Sequence, residues 1–275
     1  MKTFTCILWV TASLILTACS SIIGPSVTHT GYKTIEVETS AATAVDVLSQ
    51  NGSVIVQTDS TVEHAIVEVD VHAGGATDAE AKTRFDNVNV SAKALGGVLQ
   101  VRVSFPKPFF GNDGASITVT LPAVEGVSAA TTNGDIEVVG ANGTIVLKTS
   151  NGGVTVLDSK GITVIETSNG VVSVRDYAGP LEVTTSNGEI TVALSDEADE
   201  AVYLTTSNAD VQLSVASAFK GSITGSTSNG QVEITDTSGR AIKSEMGKNA
   251  GSVDLGEGPR SQLKTSNGSI AVIVN

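Results

Sequence analysis

The side chains of this chain that could do chemistry are few and scattered. Its three histidines are His29, His64 and His72. His64 and His72 lie eight residues apart in an alternating stretch, with no cysteine or organised acidic pair beside them, too little for a zinc site. All three read as surface groups. Asp135, Glu189 and Asp210 follow turn positions, but the equivalent positions hold Gly153, Val171, Gln231 and Ser269. That is no calcium-ligand ladder, and the GGxGxDxUx spacing of calcium-binding β-helices is missing. Outward-facing Lys148, Glu166, Arg175 and Glu233 are the groups from which a polysaccharide-cleaving site would have to be built. Neighbouring units carry Thr, Ser and Ala there instead. No G-x-S-x-G elbow, phosphate loop or HExxH occurs. The expectation is no catalytic residue, no metal site and no cofactor.

The N-terminus carries a different chemistry. Met1-Lys2 is followed by an apolar run from Phe4 to Leu16 and then Leu16-Thr17-Ala18-Cys19. A basic start, about a dozen apolar residues and small residues before a cut site make a secretory signal, too short to span a bilayer. The Leu-Thr-Ala-Cys ending resembles the bacterial lipobox. That resemblance implies cleavage after residue 18 and acylation of Cys19, palmitate included, and Ser20 in place of Asp implies the outer membrane of a Gram-negative envelope. Several acyl chains make a firm anchor. Cys6 leaves with the signal, so neither a disulfide nor a cysteine metal site is expected. Loss of Lys2 takes the formal charge from −13 to −14, which makes nucleic acid and anionic lipid poor partners for the body of the chain.

The elements that must position everything else come from a repeat. The chain reads TTNGDIEV from Thr131, TSNGGVTV from Thr149, TSNGVVSV from Thr167 and TSNGEITV from Thr185. It continues with TSNADVQL from Thr206, TSNGQVEI from Thr227, a degenerate KNAGSVDL from Lys248, and TSNGSIAV from Thr265. Two and four residues after each turn position stand Val, Ile or Leu, with polar residues between them, the period of a half-buried strand. A second strand fills each period, with Ile145/Leu147, Thr163/Ile165 and Leu181/Val183 facing inward. Such a unit cannot bury its apolar face alone. Asn-Gly between strands also suits an antiparallel meander. In-register stacking explains better why the same residues recur at the same positions. The fold expected is all-β: a single-stranded parallel β-helix, or β-solenoid, of 18–21 residues per coil with one short helix. Eight coils at about 4.8 Å each make a rod near 40 Å long.

In such a stack Asn133, Asn151, Asn169, Asn187, Asn208, Asn229 and Asn267 fall one above another and can form an amide ladder. The plainer account is that Asn and Gly tolerate positive φ. The domains expected are a signal peptide at 1–18, a lipidated tether at 19–32, an irregular N-terminal part at 33–130 and the regular repeat at 131–275. Within the irregular part, Asn51-Gly52-Ser53-Val54-Ile55-Val56 is one repeat unit, and Gly96-Gly97 opens a candidate second. Thr77-Asp78-Ala79-Glu80 is a capping box that opens the helix, with Ala81, Phe85 and Val88 on one face.

The T-S-N-G-x-[VI]-x-[VI] units, preceded by an irregular region that ends in the extended segment Ile117–Pro122, resemble the bacterial putative-adhesin family, a β-strand-repeat domain of unknown function. The likeness covers roughly residues 33–275. It implies a right-handed parallel β-helix on an exported protein and no proven activity. Phe105–Gly114 stands apart: it holds Phe105, Phe109 and Phe110, three of the six phenylalanines, in a Pro- and Gly-marked loop. Those rings either anchor a partner or close an end of the core. The function expected is a lipid-anchored envelope protein acting as a rigid non-catalytic scaffold or adhesin-like surface for a protein or polysaccharide. The alternative is a carbohydrate-binding or carbohydrate-cleaving β-helix protein. The chain ends Ser269–Asn275 without charge or proline, so its last strand is expected to be an open edge for self-association.

Overall fold

A computed structural model describes residues 27–39, 43–216 and 218–275. The signal segment, Cys19 and residues 20–26 of the tether lie outside them. Among the described residues the fold is all-β, with 23 strands and one helix. The strands form two open, mixed sheets of 11 and 12 strands. Strand Val27–Val37 takes in the end of the segment read above as tether.

From residue 124 to residue 215 the chain alternates between the sheets. Strands of the first sheet, such as Ile136–Val139, Val154–Leu157 and Val172–Tyr177, pair in parallel with their counterparts one unit on, Val154 opposite both Ile136 and Val172. Those of the second, such as Ala141–Lys148 and Ile162–Glu166, do the same. The period-two pattern is the cause: Val154, Val156, Val172 and Val174 on one side, and Ile145, Leu147 and Ile165 on the other, are at most 1% exposed. β-Branched side chains suit this narrow, close-packed interior. Tyr177 is the largest fully buried side chain. Its hydroxyl donates to the carbonyls of Gly161 and Pro180, and burial pushes its pKa up to about 12.

The ends depart from a purely parallel stack, with five antiparallel pairings. The candidate unit at Gly96-Gly97 is instead a tight hairpin. Both glycines have positive φ, 60° and 79°, and join the antiparallel strands Asn89–Leu95 and Val98–Ser104. The degenerate unit after Lys248 is also no coil of the first sheet. Its strand Ala250–Asp254 runs antiparallel to Ser222–Ser226 in the second. The chain reverses after Val232–Asp236 in a turn that Asp236 organises by accepting from the Ser238 hydroxyl and from the N–H groups of Ser238, Gly239 and Ala241. Those bonds hold its carboxyl below the usual carboxylate range, the Ser238 hydroxyl most of all.

The expected open edge at the C-terminus is not there. Strand Ile270–Val274 lies between Val211–Val215 and Val232–Asp236, parallel to both. Arg260–Lys264 lies between Val202–Thr205 and Ser222–Ser226. The last coil is therefore interior, and its backbone groups are taken on both sides. Sequence order misleads because the reversal after Asp236 carries residues 243–254 outward and the last TSNG unit is inserted beside residues 211–215, ahead of the one at 227–234. The N-terminus shows a similar arrangement. Ala44–Leu48 and Val54–Thr58 each sit between two strands that come later in the chain, rather than outside them.

Helix Asp78–Asp86 packs against Val27–Val37 and Ala65–Gly75. The Thr77 hydroxyl accepts from the Glu80 N–H at 3.2 Å, and the Glu80 carboxylate accepts from the Ala76 N–H at 2.9 Å, which satisfies two otherwise free donors. Ala81 and Val88 are buried and Phe85 packs against the core. Gly31 makes room for that ring, since a Cβ there would come 2.6 Å from Phe85 Cζ.

Candidate functional site

Two regions carry organised polar chemistry: the TSNG edge of the stack, and the aromatic loop at its N-terminal end. Along the edge, each asparagine amide donates to the amide oxygen of the next. Asn133 donates to Asn51, Asn151 to Asn133, Asn169 to Asn151, Asn187 to Asn169 and Asn208 to Asn187. Asn267 then donates to Asn208, and Asn229 to Asn267. All seven bonds measure 2.6–2.8 Å. Spatial order thus exchanges Asn229 and Asn267, as the interior last coil requires. Asn51, outside the regular repeat, extends the row and donates onward to the carbonyl of Asp113 at 2.8 Å.

A second column was missed at the sequence level. The buried threonine that opens most of the motifs donates to a main-chain carbonyl at the turn position of the adjoining coil: Thr149 to Gly134, Thr167 to Gly152, Thr206 to Gly188, Thr227 to Gly268 and Thr265 to Ala209, at 2.8–3.1 Å. Its signal was present, because Thr stands two residues before nearly every ladder asparagine. The turn glycines also have another cause than the plainer account gives. Gly134, Gly152, Gly170 and Gly188 are not in the positive-φ region. A Cβ at Gly152 would lie 1.9 Å from the Gly134 carbonyl oxygen, so close approach of successive coils, not turn conformation, requires glycine there.

Two of the three acidic turn residues serve the backbone. Asp135 accepts from the Gly153 N–H and Asp210 from the Ser269 N–H, each at 2.7 Å, while Glu189 accepts from the Thr191 hydroxyl. Lys148 and Glu166 form an exposed ion pair on the second sheet at 2.8 Å. Arg175 and Glu233 belong to strands of the first sheet. The four candidate groups therefore stand on two sheets and do not converge. His29 lies edge-on to the Phe85 ring at 4.9 Å, His72 is 3.7 Å from Asp70, and His64 is exposed. Among the described residues no three His, Cys, Asp or Glu groups are placed to hold a metal.

The loop divides its three phenylalanines. Phe105 packs against the core, Phe110 stacks under the Arg84 guanidinium at 4.4 Å, and Phe109 remains 44% exposed. A buried ion pair between Arg84 and Asp113 pins the loop. Arg84 also donates to the carbonyls of Gly74, Pro106 and Pro108 at 2.7–2.9 Å. Asp113 accepts from the N–H groups of Gly74 and Phe110, each at 2.8 Å. With both charges so fully bonded, burial is tolerated and the geometry is fixed. Neither residue was singled out from sequence, since a pair 29 residues apart leaves no periodic trace.

No protein-family model matches the chain, and no curated protein matches it. Among solved structures it is similar to a putative cell adhesion protein from Clostridium sporogenes, at 9% identity and a TM-score of 0.38 over 90% of this chain and 100% of that one. It is similar to a putative adhesin from Bacteroides fragilis, at 11% identity and a TM-score of 0.40 over 88% and 97%. A putative lipid binding protein from Parabacteroides distasonis is similar at 12% identity and a TM-score of 0.41 over 89% and 96%.

Proposed function

We propose that this chain is a lipid-anchored cell-envelope protein whose two-sheet stack works as a β-solenoid: a rigid, non-catalytic scaffold that presents an adhesin-like surface. The single observation that carries the reading is the unbroken amide row from Asn51 to Asn229. Eight side chains that could have bound a ligand are instead bonded to one another, which stiffens one edge of the stack. The anchor in this reading is Cys19 at the outer membrane, behind a signal at 1–18, and the ligand is a protein or polysaccharide met on the exposed sheet faces. No helix among the described residues is long and apolar enough to cross a membrane.

The test is fractionation of cells that make the wild-type chain or Cys19→Ser. The wild type is expected in membranes after a high-salt wash, with an acylated mature N-terminus by mass spectrometry, and the variant in the soluble fraction with an unchanged melt. A variant that stays with membranes overturns the anchor. Release of sugar ends from polysaccharides by the purified protein overturns the non-catalytic part.

A further inference from the structure

We propose that the loop Phe105–Gly114 is a membrane-contact element: Phe109, Lys107 and Pro108 meet the interface of the bilayer that holds the chain by Cys19. The inference rests on the reading of Cys19 as an anchor and adds a second point of attachment. Three observations carry it.

The first is placement. Asn112 donates to the Thr28 hydroxyl at 2.6 Å, and Val27 pairs with Gly75 beside it, so the loop stands where the described chain begins. From Cys19 to Val27 is eight residues, a reach of at most about 28 Å at full extension. An anchor at Cys19 therefore keeps this end of the stack within about 28 Å of the lipid.

The second is rigidity without closure. Arg84 binds the carbonyls on either side of Lys107, which holds the tip outward. Phe105 already covers the core and Phe110 already covers Arg84. Phe109 touches Phe105 edge-on at 6.0 Å and otherwise leaves an apolar ring in water, on a pinned backbone that lowers the ordering cost of binding.

The third is chemistry. An aromatic ring beside prolines and a lysine suits the level of the headgroups, where ring and aliphatic stem sit in the apolar layer and the ammonium reaches phosphate. The lysine also offsets, at the point of contact, the acidic charge of the body.

The chain from Cys19 has one thiol and no tryptophan, because Cys6 and Trp9 precede it. It is coupled through Cys19 to a maleimide-headgroup phospholipid in phosphatidylethanolamine/phosphatidylglycerol vesicles, so the geometry is tested whether or not cells acylate that residue. In this protein Phe109→Trp is expected to give blue-shifted emission that brominated lipid quenches and aqueous acrylamide does not. Ile242→Trp, in the exposed turn region before the C-terminal coil, should behave the opposite way. In the unsubstituted chain, amide exchange over residues 105–112 should slow on coupling, which provides a reading should Phe109→Trp misfold. A tryptophan at 109 as open to acrylamide as one at 242, or exchange unchanged by coupling, overturns the proposal. Protection that grows with protein density and ignores brominated lipid overturns it too, in favour of a second copy of the chain. Failure of the anchor appears separately, in the Cys19→Ser fractionation.

Discussion

The middle of the molecule and its C-terminal end are written in the same motif and obey different rules of order. Between residues 141 and 215 each unit stacks on the one before it, 18 or 21 residues back. After residue 215 the next unit in sequence is passed over. Val211–Val215 takes Ile270–Val274 as its neighbour, and Val232–Asp236 is pushed one place out. A TSNG unit thus specifies its own strand, turn and inward face, while its neighbour is whichever unit completes the core and backbone pairing. Local pattern is set by sequence period; order in the stack is a property of the whole set.

Four substitution experiments break or sharpen that contrast. The largest effect is all-or-none. In a Cys19→Ser background, Gln212→Cys with Ala271→Cys should oxidise to a disulfide, because their strands are adjacent and in register. Gln212→Cys with Glu233→Cys should stay reduced, since that separation is about 10 Å, two strand spacings, beyond a disulfide's reach. The opposite result on non-reducing gels would place the coils in sequence order.

Next, Val172→Asp should cost about 4 kcal/mol or more in urea melts, for it buries a carboxylate without a partner, while Ser173→Asp on the outward face should cost less than about 0.5 kcal/mol. Equal losses would reject the strand register. Third, the glycines of the two regions should respond through different mechanisms. Gly152→Ala drives a Cβ against the Gly134 carbonyl and should cost about 1–3 kcal/mol through overpacking. Gly239 has φ 67° and open space around it, so Gly239→Ala should cost about 1 kcal/mol through backbone strain alone. Asn substitution at Gly239 should recover part of that loss, and at Gly152 none. The smallest effect concerns the ladder. Asn169 both donates to Asn151 and accepts from Asn187, whereas Asn229 only donates, to Asn267. Asn169→Ala should therefore cost about 1–2 kcal/mol and Asn229→Ala about half as much, near the usual worth of one bond. Melts showing equal losses would mean that the row adds nothing at its interior.

The contrast also explains what could be read in advance. The inward residues at two and four places after each turn were legible because a strand's period is two and half of it must be apolar. The placing of asparagines 133 to 208 was legible because identical side chains recur at identical positions. Three things were not legible. The interior place of Ile270–Val274 depends on a reversal set by Asp236 and Gly239, and nothing in the final unit signals it. The KNAGSVDL stretch keeps the alternation of its relatives, and alternation does not distinguish a parallel from an antiparallel neighbour. Arg84 and Asp113 meet through a fold that first brings a helix and a loop together. Periodic features can be read along the chain; a contact made once, between distant segments, cannot.

The interior position of the final coil has a consequence for how the molecule is made. A chain emerges from its N-terminus, so residues 222–254 are delivered before residues 260–275, yet their place is on the far side of them. Until the last residues arrive, the earlier strands have a gap where their neighbour belongs, and Ile223, Val232 and Val253 lack part of the covering that buries them in the finished protein. A product cut short before residue 260 lacks that neighbour. It would retain exposed apolar strands of the kind that degradation machinery removes. Residues 260–274 are thus a keystone, set between strands that were made before them.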